Sequence, residues 1–79
     1  MTTEPYTHET GYHAAMARLE QEIATTRAIR NARARDAAKE KLEMLISARD
    51  EILETVGTWA EREMRAKSLM MALRNLYRW

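Results

Sequence analysis

At 79 residues the chain makes one domain at most, and a core of that size removes only about 60–65% of the unfolded surface from water. It has no cysteine, which excludes disulfides, thiolate metal sites and cysteine nucleophiles, so a protein partner or a homo-oligomer is the support expected for so small a core. The net charge of +1 hides blocks of alternating sign, −3 over 1–26, +4 over 27–41, −4 over 42–63 and +4 over 64–79, a pattern that acts on partner choice and register more than on stability.

The composition is that of helices. Ala, Leu, Met, Glu, Arg and Lys lose little on entering one, Phe is absent, and the chain has a single proline, Pro5, and two glycines, Gly11 and Gly57. β-Branched residues are few and scattered, which argues against strands. The uncharged stretch Ser68–Leu73 is far too short to span a bilayer, and residues 1–10 lack the basic-then-apolar order of a secretory signal, so a cytoplasmic protein is expected.

In chain order, residues 1–6 read as a flexible lead-in, with Pro5 near the start of the first helix, where proline is tolerated. Tyr12, Met16, Leu19 and Ile23 then recur at spacings of four, three and four, one face of an amphipathic helix. Gly11 weakens the first turn, so the firm part is expected from about Tyr12. Between Ile29 and Leu42 every apolar residue is alanine, and the stripe changes phase. That predicts a break, with Asn31 ending one helix and Asp36 capping the next; a single long helix bending here is the alternative.

The second helix shows a broad face of Leu42, Leu45, Ile46, Ile52, Leu53 and Val56, interrupted by Arg49 where the stripe is buried. Gly57 suits the residue just past a helix end, and Thr58 followed by Glu61 has the form of a capping box. Together they predict a stop and restart, with one long helix bent near Gly57 as the alternative. The third helix carries Trp59, Ala66, Leu69, Met70, Leu73, Leu76 and Tyr77 on one side. The expected architecture is all-α, a helical hairpin or small three-helix bundle in one domain over 1–79, with helices at roughly 7–31, 36–56 and 58–77.

Catalytic constellations do not assemble from this sequence. His8 and His13 flank Glu9 like a zinc-protease signature, but they stand five apart, about 140° around a helix instead of sharing a face. Ser47 and Ser68 have no histidine near them in sequence, Glu20/Glu22 and Asp50/Glu51 read as solvated faces, and there is no glycine-rich phosphate loop. A protein that is not an enzyme and needs no cofactor is expected.

Two segments carry binding chemistry. Arg27, Arg30, Arg33, Arg35, Lys39 and Lys41 are spaced along a helix as cations that track phosphates or an acidic partner. The stretch from Arg30 to Leu45 has the cation density of a leucine-zipper basic region, but not its asparagine–alanine spacing. Arg49 also occupies the position one heptad after Leu42. The second segment is Met70, Leu73, Arg74, Leu76, Tyr77, Arg78 and Trp79, whose apolar, aromatic and arginine mixture is that of interface anchors. Trp79 can either fold back onto the first helix or dock into a partner, and docking is the expected outcome, with deletion of residues 76–79 leaving the melting temperature almost unmoved.

The expected function is therefore protein–protein interaction, as an adaptor, chaperone-like subunit or inhibitor presenting an amphipathic helical surface. The alternative is a nucleic-acid-associated protein using 27–41, or a phage- or plasmid-encoded inhibitor of a nucleic-acid-handling machine, which would combine the two.

Overall fold

Four helices form in the computed structural model, which describes residues 5–79: α1 (His8–Arg27), α2 (Ala32–Ala37), α3 (Lys39–Glu54) and α4 (Trp59–Tyr77). No strand occurs among the described residues. Of the predicted lead-in, residues 1–4 lie outside the described set, and Pro5–Thr7 is non-helical chain that feeds α1. α1, α3 and α4 pack against one another as an up-down-up three-helix bundle, so that α1 and α4 run parallel. Ion pairs mark the antiparallel neighbours: Lys41 of α3 lies 2.8 Å from Glu22 of α1, and Glu51 of α3 meets Arg65 of α4.

The local signals explain where each helix starts and stops. α1 begins at His8, within a residue of the expected start, and its first turn is firm because the Thr7 hydroxyl accepts from the Thr10 amide at 3.0 Å and caps the turn that Gly11 was expected to weaken. It ends at Arg27. Asn31 does not close α1 but N-caps α2, its side chain accepting from the Ala34 amide at 3.0 Å. Asp36 lies inside α2 and caps nothing; α3 follows Ala38 with no side-chain cap at all. The predicted break is therefore a short extra helix, because the alanine-rich stretch keeps helix propensity while having nothing large to bury.

At the second break the stop and restart occur as expected, with α3 ending two residues before the expected position. α3 stops at Glu54, Gly57 takes φ 129°, and α4 starts from a capping box. The Thr58 hydroxyl accepts from the Glu61 amide at 3.2 Å, and Glu61 Oε1 accepts from the Thr58 amide at 3.2 Å. The Thr58 amide first, and then the Thr58 hydroxyl, which donates to Glu61 Oε1 at 3.0 Å, hold the Glu61 carboxyl below the usual carboxylate range. A depressed carboxyl pKa contributes stability above the unfolded value and loses it as pH falls through the folded one. Thr58→Ala is expected to cost about 1 kcal/mol. In Glu61→Gln the part of the acid-side decline in Tm that belongs to this cap should vanish, which a pH series of thermal melts measures.

The core is small and aliphatic. Leu19, Ile23, Leu45 and Ile52 are fully buried, with Tyr12, Leu73 and the alanines Ala15, Ala48 and Ala66 beside them. Each large aliphatic contributes roughly 1.5–3 kcal/mol by burial, and the alanines let the helices approach where they cross. The predicted face of the second helix is wider than its two neighbours can cover. Leu53 remains 60% exposed, and Val56, beyond the end of α3, is 81% exposed. Arg49 fits the stripe because its side chain reaches across to Glu20 at 3.7 Å and along to Asp50 at 3.3 Å, leaving its stem against the bundle.

Candidate partner-binding groove

Because α1 and α4 are parallel and meet through small residues, a groove of about 480 Å³ runs between them. Its floor is Gly11, Ala14 and Ala15 of α1 with Met70 of α4; Tyr6, Lys67, Met71 and Arg74 form the rim. A second shallow cleft adjoins it over Met71, Arg74, Asn75, Arg78 and Trp79. The outward side of α4 continues the apolar surface, with Met64 72% and Met71 64% exposed one heptad apart. Unbranched thioether side chains in such a position adapt their shape to what they meet.

The lower end of the groove is closed by a polar cluster absent from the sequence expectations. Glu63 of α4 is buried, its Oε1 lies 2.9 Å from His8 Nδ1 and its Oε2 3.2 Å from Lys67 Nζ. Lys67 also sits 5.6 Å from the centre of the Tyr6 ring, which ties the segment before α1 to α4. Gly11 is what admits this carboxyl: a Cβ on it would stand 1.6 Å from Glu63 Oε2. The glycine is therefore a close-approach position between helices. A readable signal existed, since Glu63 falls on the apolar stripe that includes Trp59, Ala66, Met70 and Leu73.

His8 and His13 diverge as their spacing requires. His8 turns to Glu63, while the His13 ring lies 5.5 Å from that of Trp59 and its Nε2 3.8 Å from Glu9. Ser68 shares a shallow cleft with His8 and Glu63, but no hydrogen bond joins it to His8 among the described residues. The pair His8–Glu63 acts as a clasp between α1 and α4 in this arrangement.

The residues expected to bind a partner divide into two groups. Leu73 is buried in the core, and Met70, Tyr77 and Trp79 pack partly against it. The indole of Trp79 is held on α1, where the Arg18 guanidinium lies 5.1 Å from its centre. Arg78 makes that return possible by taking the left-handed conformation, φ 53°. Arg74, Leu76 and Arg78 remain exposed, Leu76 in a separate shallow cleft with Met44 of α3. The segment thus both seals the bundle and lines its surface.

The other set gathers at the opposite end of α1. Arg27, Arg30, Arg33, Arg35 and Lys39 are exposed, and none of them forms an ion pair among the described residues. Lys41 is set apart by its pairing with Glu22. No helix among the described residues is long and apolar enough to cross a membrane.

These features define a three-helix bundle with an apolar, cation-rimmed groove on one face and a basic helix at one end. No protein-family model, curated protein or solved structure matches the chain.

Proposed function

We propose that the chain is a small non-enzymatic protein-binding module, and that the groove between α1 and α4 receives an acidic amphipathic helix of a partner protein. The observation that carries this reading is Met71, an exposed apolar side chain beside Arg74 on the rim of the groove. Apolar anchors flanked by arginine are the composition of binding hot spots. Residues 64–79 carry four bases and no acid, so an occupant of opposite charge is the one the surface suits. The carboxyl nearest the groove, that of Glu63, is already engaged by His8 and Lys67.

A fluorescein-labelled leucine/glutamate amphipathic helical peptide serves as the probe, read by anisotropy. Wild type should bind it, and the double change Met71→Glu, Arg74→Glu should weaken binding at least about tenfold with the melting temperature unchanged, since both side chains are exposed. Equal binding by the variant overturns the groove as the site. Dimerisation of the protein through the same face, seen by light scattering and lost in the variant, would replace the acidic helix with a second copy of this chain.

A further inference from the structure

The basic end is chemically unlike the groove, and packing does not account for it. α2 buries none of its residues, and it packs appreciably only against α3. The helix nevertheless keeps a defined N-cap at Asn31, and Arg35 Nε donates to the Ile29 carbonyl at 3.1 Å, closing the turn that leads into it. The segment is thus ordered by local hydrogen bonds into a short knuckle on which Arg33 is exposed, with Arg27, Arg30 and Lys39 exposed beside it, while Arg35 turns back to the chain.

We propose that this knuckle, through Arg27, Arg30, Arg33 and Lys39, contacts the phosphate backbone of double-stranded nucleic acid. Three observations select phosphate over an acidic protein. First, the side chains set among the cations on α2 are alanines (Ala32, Ala34, Ala37) and the acid Asp36, and the one large apolar group nearby, Leu42, is half-buried in the shallow cleft between α2 and α3, so the exposed surface offers little apolar anchorage of the kind a protein interface requires. Binding there rests chiefly on charge, the mode in which cations displace counterions from a polyanion. Second, no aromatic residue lies between Arg27 and Lys41, so the site lacks the ring platforms on which unpaired bases stack, and a duplex suits it better than a single strand. Third, beyond Glu40, which stands beside Lys39 at the knuckle itself, the outward side of α3 carries exposed Glu43, Asp50 and Glu54. Those carboxylates repel a polyanion along the body of the bundle and confine contact to its end.

End-on contact by about four cations fixes the expected salt dependence. Each phosphate neutralised contributes a slope of about −0.9 in log K against log salt, so affinity should fall on the order of 100-fold between 50 and 200 mM salt. The test is anisotropy with a labelled generic duplex DNA, using polyglutamate of similar charge as a second probe. Arg27→Gln, Arg30→Gln and Arg33→Gln together should reduce the slope to about one contact, while Arg74→Gln with Arg78→Gln should leave it unchanged. Because the three arginines are exposed, circular dichroism should show the triple variant folded. If it were not, Lys39→Gln combined with Arg33→Gln provides the same comparison with two fewer contacts. Absence of duplex binding at 50 mM salt overturns the proposal. So does unaltered binding by the arginine variants, or polyglutamate binding as tightly as the duplex, which would make the knuckle a site for acidic protein.

Discussion

Deleting residues 77–79 is expected to lower the melting temperature by about 10 °C or more. Tyr77 and Trp79 pack against the core, and the Trp79 ring lies under Arg18 of α1. Removing them strips cover from Leu73 and dissolves the left-handed turn at Arg78, whose amide donates to the Arg74 carbonyl at 2.7 Å. Truncating a buried aromatic costs about 3–5 kcal/mol. These rings are only partly buried, and the Trp79 indole N–H finds no protein acceptor, so the lower end of that range applies. About 3 kcal/mol in a domain this size moves Tm by more than 10 °C. Thermal melts by circular dichroism decide the matter. An unchanged melt accompanied by loss of partner binding would mean that the rings serve docking and not the core.

The second large effect concerns Gly11. Glycine-to-alanine inside a helix ordinarily stabilises by roughly 0.5–1 kcal/mol. Here the new methyl would collide with the Glu63 carboxyl and drive it from His8 and Lys67. Overpacking of this kind costs typically 1–3 kcal/mol, so Gly11→Ala should destabilise the protein despite its better propensity. In a Glu63→Ala background the collision with the carboxyl is gone and only the Tyr6 hydroxyl, the end of an exposed side chain, must move aside, so the same substitution should become neutral or stabilising. The reversal of sign is the signature, and a double-mutant cycle of denaturant melts measures it. Stabilisation by Gly11→Ala alone would contradict the close approach of α1 and α4.

Much of the bundle was legible in the sequence because its signals are local. The spacing of Tyr12, Leu19 and Ile23 marked the buried side of α1, and Gly57 with Thr58 and Glu61 marked the start of α4. The segment around Asn31 was harder to read, since an asparagine can end one helix or cap the next, and only the Ala34 amide decides between them. How much of the face of α3 is buried depends on where its neighbours stop, which no periodicity reports; Leu53 and Val56 were therefore expected inside and lie outside. The groove itself is a tertiary product. Met70 and Arg74 could be singled out by type, but not that a parallel α1 would bring Ala14 and Ala15 beside them, nor that Glu63 would lie against Gly11.

The same distinction separates the two binding surfaces. The knuckle is built from consecutive residues, so its cations were visible from the start; only the pairing of Lys41 with Glu22 had to come from the fold. The groove draws on α1 and α4, about fifty residues apart in sequence. Its chemistry asks for an apolar anchor and opposite charge, whereas the knuckle asks chiefly for charge.

The most direct test of the groove as the working surface is site-specific photocrosslinking in the cell of origin. Benzoylphenylalanine at position 71 faces the proposed occupant, and the same group at position 54 faces solvent on the acidic side of α3. The account predicts one defined crosslinked protein from position 71, bound through an acidic helical segment, with none from position 54 and loss of the product when Arg74 is changed to Glu. Crosslinks of equal yield from both positions, or a product from 54 alone, would contradict it.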